Sequence, residues 1–310
     1  MDQYDVIIIG GGPAGLACGL YLARARMKTL LIEEVGLGGQ AVLTDEIENY
    51  PGFPSGIKGN ELTEKLKEQA EKFGLVIDYG KVKEIKKNLK SWEAATNQKK
   101  REALSVIIAT GAKPKKLDIP GEDEFRGKGV SYCATCDGAF FRDKDIVVVG
   151  GGDTAVEEAL FLTRFGKKVI LIHRRNRLRA AKVLQERAQA NDKIEFVWDS
   201  IPLQILGNQQ VEAVKIKNVK TGKESEISCQ GIFVFVGLIP NTDFLGGLVE
   251  LDERGYVITD DEMKTSREGV FACGDCRKKL LRQVVTACGD GAVAAFSSQK
   301  YAEELKGTAY

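Results

Sequence analysis

Only one histidine occurs in the 310 residues, and the net charge is +1, from 45 Lys and Arg against 44 Asp and Glu. With a single histidine no multi-histidine metal centre can form. A Ser-His-Asp triad or a Cys-His pair would have to be built on His173. A near-neutral chain has no global electrostatic pull toward nucleic acid or an anionic membrane, so neither is expected as a partner. Long apolar runs are missing too. The longest, around Ile232 to Ile239, is far shorter than the ~20 residues that cross a bilayer. The start, Met1-Asp2-Gln3-Tyr4-Asp5, is acidic and runs straight into a strand-like segment. No signal peptide is visible, which predicts a cytoplasmic protein. Chemistry is left to seven cysteines, the carboxylates or a bound cofactor.

What the chain does have is one unit written twice, 140 residues apart. Val6-Ile7-Ile8-Ile9 leads into Gly10-Gly11-Gly12-Pro13-Ala14-Gly15, and Ile146-Val147-Val148-Val149 leads into Gly150-Gly151-Gly152-Asp153-Thr154-Ala155. β-Branched runs favour buried parallel strands. Helix-like stretches follow, Leu16 to Arg26 and Ala155 to Phe165, and then second apolar runs, Thr29 to Ile32 and Val169 to Ile172. Strand, glycine turn, helix and strand spell a βαβ unit that binds a dinucleotide. The first glycine allows the tight turn, and the second lets a pyrophosphate approach the backbone. The third position, Gly15 or Ala155, must be small for helix–strand packing. The helix N-terminus then faces the phosphates.

The two copies differ at the end of the second strand. Glu33 lies 23 residues after Gly10, and His173 lies 23 residues after Gly150. A carboxylate there accepts hydrogen bonds from a free ribose. The basic run His173-Arg174-Arg175, with Arg177 and Arg179 close behind, suits a 2′-phosphate instead. The second site is therefore expected to take NADP rather than NAD. Further strands are expected at Leu104 to Ala109 and Gly231 to Val236, and helices at Asn60 to Phe73 and Ala180 to Ala190. The Lys-rich stretch from Val76 to Glu102 suggests a small antiparallel layer. The tail from Phe271 to Leu305 is a glycine turn and a long Ala-rich helix, which completes one of the two domains.

Two C-x-x-C pairs are present, Cys133-Ala134-Thr135-Cys136 and Cys273-Gly274-Asp275-Cys276. Together they raise a structural zinc reading, although the segments are far apart in sequence. For Cys133 and Cys136 a redox disulfide is the better reading, because one thiol can resolve a mixed disulfide formed by the other. Asp137 is the nearest proton donor, and it can equally cap a short helix. For Cys273 and Cys276 packing as small buried residues is favoured. Cys18, Cys229 and Cys288 read the same way. Lys278, Lys279 and the Lys81 to Lys100 region suggest a partner surface or a merely solvated face.

The ordered set of motifs resembles the low-molecular-weight, prokaryotic-type thioredoxin reductases over essentially the whole chain. The matching pieces are Gly10 to Gly15, Gly38-Gly39-Gln40, Glu48-Asn49-Tyr50-Pro51-Gly52, Ala109-Thr110-Gly111-Ala112, Cys133 to Asp137, Gly150 to Ala155, His173-Arg174-Arg175 with Arg179, and Gly274-Asp275 with Arg282-Gln283. The resemblance implies an α/β fold of two Rossmann-like, three-layer dinucleotide-binding domains, the second inserted into the first. The implied FAD domain is 1–114 with 246–310, and 115–245 is the NADPH domain carrying the disulfide.

By the same resemblance, Gly10, Gly12, Pro13, Ala14 and Gly15 hold the FAD pyrophosphate and Glu33 its ribose. Gly39, Gln40 and Asn49 lie near the flavin or its ribityl chain, as do Thr110 and Gly111. Gly274 and Asp275 hold the ribityl–phosphate region, and Arg282, Gln283 and Val284 line the flavin. Gly150, Gly152, Asp153, Thr154, Ala155, His173, Arg174, Arg175 and Arg179 form the NADPH site. The implied relay runs from NADPH through FAD to the Cys133–Cys136 disulfide and on to thioredoxin or a similar small disulfide protein. Cys136 would face the flavin, Cys133 would attack the substrate and Asp137 would handle the proton. A hinge between domains and a homodimer are implied as well. Related flavoproteins fed by ferredoxin or serving a peroxidase are alternatives. The arginines speak against the first, and the lack of an N-terminal redox extension against the second.

Overall fold

In the computed structural model, which describes residues 3–308, the β-branched run becomes the buried centre of a sheet. β1 (Gln3–Ile9) pairs in parallel with β2 (Thr29–Glu33) and β6 (Lys100–Ile108), with Ile7 opposite Leu30 and Val106. β3 (Val76–Tyr79) extends the sheet in parallel beyond β2. β4 (Val82–Lys87) and β5 (Trp92–Thr96) extend it antiparallel beyond β6. The Lys-rich stretch is thus not a layer of its own. Buried Trp92 faces buried Ala103 across β5 and β6, which fastens it to the main sheet.

The chain divides into two units, Met1–Lys113 with Ile239–Tyr310, and Pro114–Leu238. In the first, α1 (Pro13–Arg24) and α6 (Val284–Lys306) cover one sheet face, burying Val6, Ile8, Leu31 and Ile107 with Leu16, Ala294 and Ala302. α2 (Gly59–Lys72) packs beside α1. The opposite face buries Ile7, Leu30 and Val106 with Leu245, Val249 and Val257. Burial on both faces is why the strands read as unbroken apolar runs instead of alternating. Leu245 and Val249 belong to this core, so the chain re-enters the first unit at Ile239, earlier than the expected 246. β17 (Val270–Ala272) joins β6 in parallel. β7 (Ala112–Pro114) and β16 (Leu238–Pro240) lie at the two crossings.

In the second unit five parallel strands run in the order β11 (Ile194–Val197), β10 (Lys168–Ile172), β9 (Asp145–Gly150), β15 (Gly231–Phe235) and β8 (Val130–Ser131). α3 (Ala134–Asp137), α4 (Asp153–Leu162) and α5 (Lys182–Gln189) bury Val148, Leu171 and Phe233 on one face. An antiparallel sheet of β12 (Ser200–Gly207), β13 (Val211–Asn218) and β14 (Glu224–Ser228) buries Val147, Ile172 and Val234 on the other. Each unit is a three-layer α/β body around its own parallel strands. Among the described residues no helix is long and apolar enough to cross a membrane.

Candidate redox centre and dinucleotide cradles

β8 delivers the chain to the C-x-x-C turn. Cys133 caps α3 in extended conformation and is disulfide-bonded to Cys136, with the Cα atoms 5.4 Å apart. Two residues between the cysteines make one helical turn, which brings their side chains together. The Cys136 amide donates to Cys133 Sγ at 3.1 Å. The same N–H can stabilise a Cys133 thiolate once the disulfide opens. The Ser131 hydroxyl accepts the Cys133 amide at 3.0 Å and donates to the Cys133 carbonyl at 3.2 Å. The Asp137 amide donates to that carbonyl as well. Cys136 is exposed, while Cys133 and Asp137 are half-buried. Beyond Asp137, Phe141 is buried edge-on against Phe233 and Phe140 is left exposed.

In the first unit the glycine turn is shaped by contact. Gly10 has φ of 108° and sits against the Ala109 carbonyl and Thr110, and a Cβ on Gly15 would overlap the Gly10 carbonyl oxygen. Gly12 is different: a Cβ there would fill open space, its nearest neighbour being Gly39 Cα at 3.9 Å. That open floor beside α1 fits a pyrophosphate. Pro13 occupies the first helical turn and Ala14 is buried against Gly274. Glu33 accepts the Gly11 amide at 2.6 Å through Oε2 and the Val35 amide at 3.0 Å through Oε1, so its carboxylate is fixed at the strand end.

The other residues expected in this site arrive from three segments. Gln40 is exposed on a 3-10 turn, Gly39–Leu43. Asn49 Nδ2 donates to Gln283 Oε1 at 3.1 Å, and Gln283 caps α6 just before Val284. Thr110 Oγ1 donates to the Asn241 carbonyl at 2.7 Å, and Asn241 donates back to the Thr110 carbonyl at 3.0 Å. Gly111 is left-handed, with φ of 61°. Arg282 lies over the Tyr256 ring, 4.0 Å from its centroid. Asp275 Oδ1 and Arg282 Nε are buried and unpartnered within the protein. Burial raises the Asp275 carboxyl above its ordinary range, against the pull of Lys279 and Arg282. Such orphaned groups fit a polar cofactor that completes them.

The sequence reading missed the residue that organises this corner. Asp290 on α6 accepts Lys279 Nζ at 2.7 Å, Arg277 Nη1 at 3.2 Å and the Gly274 amide at 3.1 Å. A signal existed: from Gln283 to Gln299 it is the only charged residue. Lys279 is correspondingly buried, with a side chain 7% exposed, so it is not part of a partner surface. Several basic residues of the 81–101 region are likewise paired at home, Lys81 with Glu34, Lys100 with Glu93 and Arg101 with Asp78. Cys273 and Cys276 are free and fully buried, as are Cys18 and Cys229. Burial pushes the Cys276 thiol up to about 11, the signature of an unreactive packing cysteine. Among the described residues no group of three or more His, Cys, Asp or Glu could hold a metal ion.

In the second unit Gly150 packs on the Phe235 carbonyl and on Ala155, the small residue at the third turn position. Gly152 is open, with Arg179 Nη2 3.9 Å from where its Cβ would stand. The Arg179 amide donates to the Gly151 carbonyl at 2.7 Å, and Asp153 Oδ1 accepts the Ala181 amide at 2.7 Å. The basic loop is thereby tied to the glycine turn. Thr154, Arg174, Arg175 and Arg179 are exposed. His173 instead turns inward against Gly151, is 6% exposed and leaves Nε2 unpartnered. Burial and then the neighbouring arginines lower its pKa, which keeps the imidazole neutral.

Residues 4–291 match the family model for pyridine nucleotide-disulphide oxidoreductases. The thioredoxin reductase of Peptoclostridium acidaminophilum is 51% identical over 308 residues, covering 97% of this chain and 98% of that one. The thioredoxin reductase of Bacillus subtilis is 49% identical over 306 residues, covering 98% and 96%. A crystal structure of Lactococcus lactis thioredoxin reductase superposes with a TM-score of 0.95 at 50% identity, covering 97% of this chain and 99% of that one. Likeness of this extent over nearly the whole chain makes it a member of the thioredoxin reductases within the pyridine nucleotide-disulphide oxidoreductases.

Proposed function

We propose that this chain is an NADPH-dependent, FAD-containing disulfide reductase that regenerates the dithiol of thioredoxin. The observation that carries the reading is the Cys133–Cys136 disulfide on a one-turn helix, with the Cys136 amide on Cys133 Sγ. The cofactors supply an electron pair from outside the chain. The residues of the chain bind, orient and dispense it. The first unit holds FAD between the Gly10–Gly15 turn, Glu33, Gly39, Asn49, Thr110, Asp275 and Arg282. The second holds NADPH between the Gly150–Ala155 turn and Arg174, Arg175 and Arg179, whose guanidiniums match a 2′-phosphate.

Reduction of the disulfide by two electrons leaves a Cys133 thiolate facing the Cys136 amide. Cys133 attacks the substrate disulfide, releasing one substrate thiolate and forming a mixed disulfide. Cys136 then attacks Cys133 Sγ, expels the second substrate thiolate and restores the intramolecular disulfide. Asp137, adjacent in α3, carries the proton exchanged at Cys136. The protein works as a homodimer: Val285, Val293 and Phe296 are 38%, 39% and 69% exposed along α6, an apolar stripe suited to a second copy. Five free cysteines suit the reducing cytoplasm.

The test is anaerobic titration of the yellow holoprotein. NADPH is expected to bleach the flavin efficiently and NADH poorly. Cys136→Ser is expected to accept reducing equivalents into the flavin yet not to reduce thioredoxin. Normal turnover by that variant refutes the relay, and bleaching by NADH alone refutes the nucleotide assignment.

A further inference from the structure

Glu122 is a carboxylate 2% exposed inside the second unit. It accepts the Leu117 amide at 2.8 Å and the Asp118 amide at 2.7 Å, and the Tyr132 hydroxyl donates to it at 2.7 Å. All three donors converge on one side chain, so it is satisfied although buried. The turn it holds is tight. Asp118 has φ of 58° and Gly121 φ of 85°, and a Cβ on Gly121 would overlap the Ile205 carbonyl oxygen. The Tyr132 ring packs with Leu117 and Ile119 on the core that contains Phe125 and Val130, and Arg126 lies over it, 5.7 Å from the ring centroid. Burial and the Glu122 carboxylate both raise the Tyr132 phenol, so it stays a hydrogen-bond donor.

Tyr132 is the residue immediately before Cys133. On its other side Ser131 already ties Cys133 through both its amide and its carbonyl. The disulfide-bearing turn is therefore approached by a segment tied at successive residues: β8, a tyrosine bonded to Glu122, then Cys133 bonded to Ser131. We infer that Glu122 and Tyr132 are positioning residues for the Cys133–Cys136 couple, holding Cys133 where its sulfur meets Cys136. The inference rests on the reading of that pair as the working couple.

The consequence is a redox one. A disulfide requires both sulfurs in one place, whereas a dithiol does not. Loosening the segment before Cys133 costs the disulfide more than the dithiol and makes the pair easier to reduce. Tyr132→Phe removes one hydrogen bond to a carboxylate at unchanged shape. We expect the equilibrium constant against dithiothreitol to move about three- to tenfold toward the dithiol, the upper limit being ~30 mV for a two-electron couple. Glu122→Gln, which cannot accept from all three donors, moves it in the same direction.

Holoprotein is equilibrated without oxygen in mixtures of reduced and oxidised dithiothreitol, thiols are trapped by alkylation, and the peptide holding Cys133 and Cys136 is weighed. The exchange is balanced: the protein disulfide gains two electrons and two protons and the reagent loses them. Circular dichroism verifies that each variant is folded. A Tyr132→Phe couple within a factor of 1.5 of the parent overturns the inference, even where Glu122→Gln fails to fold. A pair that dithiothreitol cannot reduce in the parent overturns the functional reading, and this inference with it. A melting temperature that falls while the couple stays put marks the clamp as structural only, which also overturns it.

Discussion

Asp290 offers the sharpest test of how the first unit is held together. Its carboxylate, 12% exposed, is shared by Lys279 and Arg277, whose side chains are 7% and 12% exposed. Asp290→Ala strands the Lys279 ammonium with little water to replace its partner, and the Gly274 amide loses its acceptor as well. Breaking a buried pair by removing one member costs about 3–5 kcal/mol. For a body of this size that is a fall in Tm of about 6–20 °C. Urea denaturation followed by circular dichroism, with flavin fluorescence as a second probe, measures it. The cause is the unpaired charge and not the lost atoms, so pairing Asp290→Leu with Lys279→Met is expected to recover part of the loss, Arg277 keeping its bond to Thr259 Oγ1. A loss below ~1 kcal/mol refutes the reasoning. So does a double variant as unstable as Asp290→Ala.

Three further outcomes are expected. Gly15→Ala places a Cβ on the Gly10 carbonyl oxygen, so the purified variant is expected to carry little flavin by its visible absorbance; full flavin content contradicts the packing role. Cys18, Cys229, Cys273 and Cys276 are buried thiols, expected to resist alkylation in the native protein near neutral pH and to react at once in urea. The Cys276 thiol, raised from 9.0 to about 11, favours the folded state fully below its unfolded value. That contribution fades as pH rises through about 11, which alkaline urea titrations of the parent and Cys276→Ala can compare. Arg175→Ala, losing a charge-assisted contact of about 1.5–3 kcal/mol, should raise KM for NADPH roughly 10–150-fold and leave that for NADH unchanged; equal effects on both nucleotides contradict 2′-phosphate recognition.

The repeated βαβ unit was legible because its determinants are local: a β-branched run, glycines at fixed spacing and the residue 23 positions beyond Gly10 and Gly150. Glu33 and the arginines could be read against each other for the same reason. Partners distant in sequence could not be read. Nothing in Lys279 itself separates it from the solvated Lys278, since the difference is made by Asp290 eleven residues on. The Lys81 to Lys100 region suggested a partner surface or a solvated face because Glu34, which pairs with Lys81, lies just past β2, far back in the sequence. The re-entry of the chain near Ile239 escaped because Leu245 and Val249 carry no motif; they are merely apolar residues that find the first unit's core. His173 was rightly placed at the strand end, but its inward turn depends on Gly151 leaving room for the ring.

The crossings carry a last consequence. Within the first unit, the departing Thr110–Gly111 and the returning Asn241 are stitched together by hydrogen bonds of 2.7, 3.0 and 3.0 Å. Within the second unit, the Lys115 amide donates to the Gly237 carbonyl at 2.9 Å. Each unit thus keeps its own cut ends adjacent, as a well-made graft does. Excising residues 114–238 would leave a gap that a very short bridge can close at little entropic cost. A chain organised this way can exchange one nucleotide-binding module for another without re-solving the fold of the host.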